Sequence, residues 1–197
     1  MNIFELSDPL FLPHCGCELQ IPINVGSCVV LTGENGIGKS TLLRHFSHQI
    51  SLETRVVVEQ KASEYFFDRK LITLKQFFLS ADLPHFNKEI FLSLWNQFEL
   101  HVKEQRLISH LSGGESQALK LCLALCKECA FYFLDEPFHY LDKNRRKILI
   151  TYLEQLRVSG HALLIVEHNL EGFPAGWKVQ PLVIQDNILK QGDEWII

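Results

Sequence analysis

One octapeptide constrains this chain more than any other feature. Gly33-Glu34-Asn35-Gly36-Ile37-Gly38-Lys39-Ser40 fits G-x-x-x-x-G-K-[ST] at every position. It follows an apolar, β-branched run from Val25 to Leu31 that reads as a strand. It precedes a segment with Leu42, Leu43 and Phe46 on one helical face. In that context a loop can curl so that successive backbone N–H groups point inward at phosphate oxygens. A helix opening at Lys39 adds partial positive charge. Lys39 is placed to reach the β- and γ-phosphates, the Ser40 hydroxyl to ligate Mg²⁺, and Thr41 to help at the α-phosphate.

A second segment supplies acid. Phe131-Tyr132-Phe133-Leu134 is a strand with no polar face, hence buried on both sides, and it runs into Asp135-Glu136. Carboxylates at the end of a buried strand sit at the lip of the sheet, where ligands bind in open α/β folds. Asp135 is positioned to hold Mg²⁺ through water, and Glu136 to polarise an attacking water.

The remaining chain reads as alternating strands and helices. Arg55 to Glu59 and Ala162 to Val166 are buried strands, and Leu182–Ile184 and Asn187–Leu189 flank a hairpin turn at Gln185-Asp186. Helices are expected where Phe91, Leu94, Trp95 and Phe98 recur, from Ser116 to Cys129, and from Lys143 to Val158 with Gly160 just beyond as a C-cap. This alternation predicts an α/β fold, a mostly parallel sheet with helices on both faces.

Composition excludes several classes. Hydrophobic residues are 47% and charged residues 21% of 197. No stretch approaches the roughly 18 to 20 apolar residues of a membrane span. The start, Met1 to Leu6, lacks the basic and apolar regions of a signal peptide, so a cytoplasmic protein is expected, with any membrane role through a partner. A net charge of -4 argues against direct nucleic-acid binding, and the basic run Lys143 to Lys147 reads as a solvated helix face. Of six cysteines, Cys15 and Cys17 lie close together and Cys28 sits in an apolar run. Cys122, Cys126 and Cys129, at i, i+4 and i+7, fit a buried helical stripe better than a zinc site.

Leu111-Ser112-Gly113-Gly114-Glu115 then carries a family resemblance. These residues resemble the LSGGQ signature of the ABC (ATP-binding cassette) ATPases, with Glu115 for the usual Gln and Gln117 matching a downstream Gln. Tyr140-Leu141-Asp142 resembles the D-loop, Ile165-Val166-Glu167-His168 the strand ending in the switch histidine, and Gln60 the Q-loop glutamine. The resemblance runs from about Val25 to the C-terminus.

The resemblance implies a RecA-like P-loop NTPase core at about residues 1–60 and 130–197, with a helical subdomain at about 61–129. It implies that Ser112, Gly113 and Gly114 bind the γ-phosphate of ATP held by an opposite subunit, in a homodimer or paired cassette. It implies that His168 orients the water with Glu136, that Gln60 senses Mg²⁺, and that Asp142, the D-loop aspartate, belongs to the nucleotide-binding set. The implied function is ATP binding and hydrolysis for a separate transmembrane permease at the inner face of the cell membrane. Phe66, Phe67, Phe77, Phe78 and Trp95 fall in the region that would receive it. A soluble ABC ATPase acting on nucleic acid, ribosome or another protein is the alternative, and a regulatory module with little turnover a further one. The stretch between Ser40 and Gln60 is shorter than usual for the family, and Phe11 and His14 are the candidates for stacking on adenine.

Overall fold

Alternation along the strands sets the architecture. In the computed structural model, strand β3 (Phe131–Asp135) is buried at every position, so both its faces need cover. Phe131 and Phe133 join one apolar cluster, while Tyr132 and Leu134 join another. Strand β4 (Ala162–Val166) splits the same way, with Ala162, Leu164 and Val166 on the first side and Leu163 and Ile165 on the second. A fully buried large apolar side chain contributes about 1.5–3 kcal/mol, so these strands hold the sheet between two layers.

The structure describes residues 26–59, 73, 75–76, 87–168, 173, 177–185, 188–191 and 195–196. The remaining elements are β1 (Cys28–Gly33), α1 (Lys39–His48), β2 (Arg55–Val58), α2 (Lys88–Gln97), α3 (Gly113–Leu125), α4 (Lys143–Val158), β5 (Lys178–Gln185), β6 (Ile188–Gln191) and β7 (Trp195–Ile196). Leu42, Leu43 and Phe46 of α1 pack on the first face, and buried residues of α2, α3 and α4 on the second.

Among the described residues the sheet has seven strands in the order β2-β3-β4-β1-β5-β6, with β7 on β5. The β2–β3, β3–β4, β4–β1 and β1–β5 pairs are parallel. β6 and β7 run antiparallel to β5. All five parallel strands therefore end on one edge, and the chain crosses from β4 to β5 past β1, the kind of strand-order reversal that opens a ligand crevice.

Several boundaries differ from the sequence reading, among them the end of β2 at Val58 and the start of β5 at Lys178. β1 runs on to Gly33, because Thr32 and Gly33 pair with Val183 and Ile184 of β5. α3 begins at Gly113, since Ser112 caps it, and ends at Leu125 with Cys126 as its C-cap, so Cys129 lies beyond the helix rather than in a helical stripe. Gln185 pairs with Ile188, so Gln185 belongs to β5 rather than to the expected turn. Helix α4 matches its expected span, with Ser159 as C-cap and Gly160 beyond it at φ 93°. Within the basic run, Arg145 departs from a solvated face. Its side chain is 15% exposed, and its guanidinium donates to the Phe98 carbonyl at 3.2 and 3.3 Å. Val25, Cys15, Cys17, Phe11, His14, Gln60, Phe66, Phe67, Phe77 and Phe78 lie outside the described residues.

Candidate active site

The ladder continues past the strand ends. The Glu136 N–H donates to the Val166 carbonyl at 3.0 Å, and the Glu167 N–H to the Leu31 carbonyl at 3.1 Å. These bonds align Glu136, Glu167 and His168 beside the loop that follows β1.

Gly33 opens that loop at φ 149°, and a methyl group there would lie 2.8 Å from the Ile184 carbonyl oxygen. Only glycine fits such an approach without displacing β5. Gly38 closes the loop as the N-cap of α1 in the left-handed region, with no side-chain cap on the helix. The first-turn N–H groups thus face the loop without a side-chain acceptor. Glu34, Asn35 and Gly36 are exposed, Ile37, Gly38 and Ser40 are half-buried, and Thr41 is exposed. Lys39 is buried, and its Nζ donates to the Gly33 carbonyl at 2.7 Å and the Glu34 carbonyl at 2.9 Å. Burial lowers its pKa, against the pull of Glu136, Asp135 and Glu167. The ammonium is therefore held by two carbonyls of its own loop, within the electrostatic reach of Glu136, Asp135 and Glu167.

Asp135 and Glu136 are both buried. Glu136 has φ 47°, a left-handed conformation that costs a non-glycine residue about 1–2 kcal/mol. That turn aims the carboxylate at His168, whose Nε2 lies 2.9 Å from Glu136 Oε1. His168 itself is exposed. A buried carboxylate held by an imidazole can accept a proton from water. The Ser40 hydroxyl and Asp135 carboxylate are hard oxygen donors, the type that suits Mg²⁺. Among the described residues no three His, Cys, Asp or Glu side chains gather as a metal cage. Mg²⁺ sites need none, since water and phosphate oxygens complete their shell.

Two neighbours of Glu136 were not visible in the sequence. His139 places Nδ1 at 3.8 Å from Glu136 Oε2, on the side away from His168. Its only sequence signal is the i, i+3 spacing. Glu167 accepts from the Phe138 N–H at 3.4 Å, and burial, with Glu136 adding to it, raises its pKa to about 7. A carboxyl raised from 4.5 to about 7 is protonated more readily in the fold than in the unfolded chain. Its stabilising contribution is therefore present below about pH 4.5 and lost as the pH rises through about 7. Glu167→Gln should remove that loss. Relative to wild type, its unfolding free energy should gain about 1–2 kcal/mol between about pH 5 and about pH 8 in urea titrations. An unchanged difference between the two pH values would refute the buried-acid reading.

The signature segment forms a helix start. Ser112 caps α3, its Oγ accepting from the Glu115 N–H at 3.3 Å while its own N–H donates to Glu115 Oε2 at 2.8 Å. Glu115 is a capping-box partner. Burial would raise its pKa, but the two Ser112 bonds, Arg106 and Lys103 pull it below the usual value. Its charge faces Lys103 at 3.8 Å and Arg106 at 3.6 Å. Ser112 and Gly113 remain exposed and Gly114 half-exposed. Asp142 caps α4 by accepting from the Arg145 N–H at 2.9 Å. Gln60 follows Glu59, whose carbonyl accepts from Lys120 Nζ of α3 at 2.9 Å. Near Glu59, a cavity of about 630 Å³ lies between α1, β2 and α3, lined by Arg44, Leu52, Val57, Lys120 and Leu123.

The described cysteines, Cys28, Cys122, Cys126 and Cys129, are buried and unpaired. Burial raises the thiols of Cys28 and Cys126 to about 12 and that of Cys129 to about 11, which leaves them inert apolar filling.

A parallel sheet with a glycine-rich loop after its central strand, and acids at the neighbouring strand end, defines a P-loop nucleotide-binding protein. The ABC transporter family model matches residues 18–139. The manganese transport system ATP-binding protein of Bacillus subtilis is 30% identical over 177 residues, covering 78% of this chain and 70% of that protein. A solved ATP-binding subunit of an ABC transporter superposes with a TM-score of 0.70 at 17% identity, over 89% of this chain and 82% of the other. An archaeal ribosome recycling factor, solved with a ribosomal stalk protein, has the same fold, with a TM-score of 0.70 at 23% identity over 89% of this chain and 40% of the other. The chain belongs to the ABC transporter family as an ATP-binding, ATP-hydrolysing subunit. Among the described residues no helix is long and apolar enough to cross a membrane.

Proposed function

We propose that the loop 33–40 binds Mg-ATP, that Glu136 acts as general base on the attacking water, and that two cassettes close around the nucleotide. The observation that carries this reading is the 2.9 Å pair of Glu136 and His168, set beside Lys39 at one strand edge.

The first-turn N–H groups of α1 and Lys39 hold the phosphate chain, with Thr41 beside them. Ser40 and Asp135 would hold Mg²⁺, Asp135 through water, and Gln60, two residues beyond β2 in sequence, would sense it. The metal's contribution is to neutralise charge developing on the phosphate oxygens. Glu136 takes the proton of the attacking water, and His168 fixes the orientation of that carboxylate. Ser112, Gly113 and Gly114 present a capped helix end to the phosphate held by the opposite cassette, and Asp142 lies in the same contact. The neutralisation of Glu115 by Lys103 and Arg106 leaves that helix end suited to an anion.

Helices α2 and α3 belong to a helical subdomain, and the cavity between α1, β2 and α3 receives a short helix of a separate membrane permease. A transport role is in keeping with the manganese relative; the cargo is left open. Affinity purification from detergent-solubilised membranes, with and without Mg²⁺ and ATP, tests the partner. Recovery of a polytopic membrane protein is expected. A cassette that hydrolyses ATP yet brings down no membrane protein would remove the transport arm and favour a soluble target.

A further inference from the structure

The Glu136 carboxylate is held from two sides. His168 takes Oε1 from the end of β4, and His139 approaches Oε2 from the turn that leads to α4. The His139 backbone closes this turn by donating to the Glu136 carbonyl at 3.0 Å. Its ring lies against the ring of Tyr140, with centroids 3.8 Å apart and planes inclined by 32°. Tyr140 sits at φ 63° in the turn closed by the Leu141 N–H on the Phe138 carbonyl at 3.2 Å, and it is 65% exposed, so core packing does not hold its ring.

What Tyr140 does touch is the start of α3. A methyl group at Gly113 would lie 3.4 Å from the Tyr140 ring, and one at Gly114 2.7 Å from the Tyr140 carbonyl oxygen. Gln117, one turn further along α3, donates to the Pro137 carbonyl at 3.1 Å from a buried position. The turn 136–140 thus meets α3 at Pro137 and at Tyr140.

We propose that His139 is a positioning residue for the Glu136 carboxylate, and that the His139–Tyr140 stack ties that carboxylate to Gly113 and Gly114 at the start of α3. The proposal rests on the assignment of Glu136 as base.

Four variants test this: His139→Ala, His139→Asn, Tyr140→Ala and the double alanine. His139→Ala should lower kcat about 10- to 100-fold, the scale of a misaimed catalytic group, with ATP affinity within about threefold of wild type. His139→Asn, which keeps a nitrogen near the Nδ1 position, should recover much of kcat. The double variant should be no slower than the slower single, as expected for members of one contact chain. Should Tyr140→Ala melt early, Tyr140→Leu keeps the volume without the ring face. A kcat for His139→Ala within about twofold of wild type overturns the proposal. So does a double variant whose loss is the product of the two single losses, because the residues would then act separately. The base assignment fails by a different result, wild-type turnover in Glu136→Gln. A dead Glu136→Gln beside a normal His139→Ala sinks only the stack.

Discussion

Replacing Glu136 by Gln is expected to leave ATP bound and bring turnover almost to a halt. The substitution keeps the side chain's size in a buried site, and an amide can still meet His168 across the 2.9 Å contact. What it loses is basicity, and removal of a positioned general base typically costs about 10²- to 10⁴-fold in rate. Mg-ATP should then persist between two copies, so a stable dimer should appear in sedimentation velocity only when ATP is present. Single-turnover hydrolysis reads the loss directly. Turnover equal to that of wild type would take the base role from Glu136, whatever the dimer does.

Lys39→Ala should act earlier, on binding itself. The Lys39 ammonium is held inside the loop by the Gly33 and Glu34 carbonyls. A phosphate chain in that loop would meet a cation already placed. Hydrogen bonds to charged groups are each worth about 1.5–3 kcal/mol, so losing Lys39 should weaken ATP binding by about 10- to 100-fold or more. The fold should survive, because the two carbonyls lie beside exposed residues and water can replace the ammonium. Equilibrium titration with a fluorescent ATP analogue, paired with a thermal melt, separates the effects. Affinity within about threefold of wild type would show that the backbone N–H groups alone carry the site.

The two substitutions divide the site in a way that mirrors its construction. Lys39 belongs to a local unit, a loop and the first turn of α1, in which nearby residues form the geometry. Glu136 depends on distant segments. Its N–H is held by Val166 and its carboxylate by His168, some thirty residues along the chain.

That difference explains how much could be read in advance. The octapeptide, the apolar β3 with its terminal acids and the span of α4 were legible, because each rests on contacts between residues near in sequence. Where tertiary packing intervenes, the reading slipped. α3 was expected to reach Cys129, but the chain must leave the helix at Cys126 to enter β3. Arg145 was expected on a solvated face, but the Phe98 carbonyl at the end of α2 draws it inward. Glu115, a departure from the signature, is neutralised by Lys103 and Arg106, which no spacing rule relates to it.

By itself, then, the chain's order of residues determined a phosphate-binding loop, an α/β sheet and the family. Periodicity and loop chemistry act over a few residues and survive being read one segment at a time. Only the tertiary structure decided what else surrounds Glu136 beside His168: His139 on the second oxygen and half-buried Glu167 nearby. Parallel strands place side chains from remote segments at one edge, and electrostatics at such an edge depends on distance through space rather than along the chain.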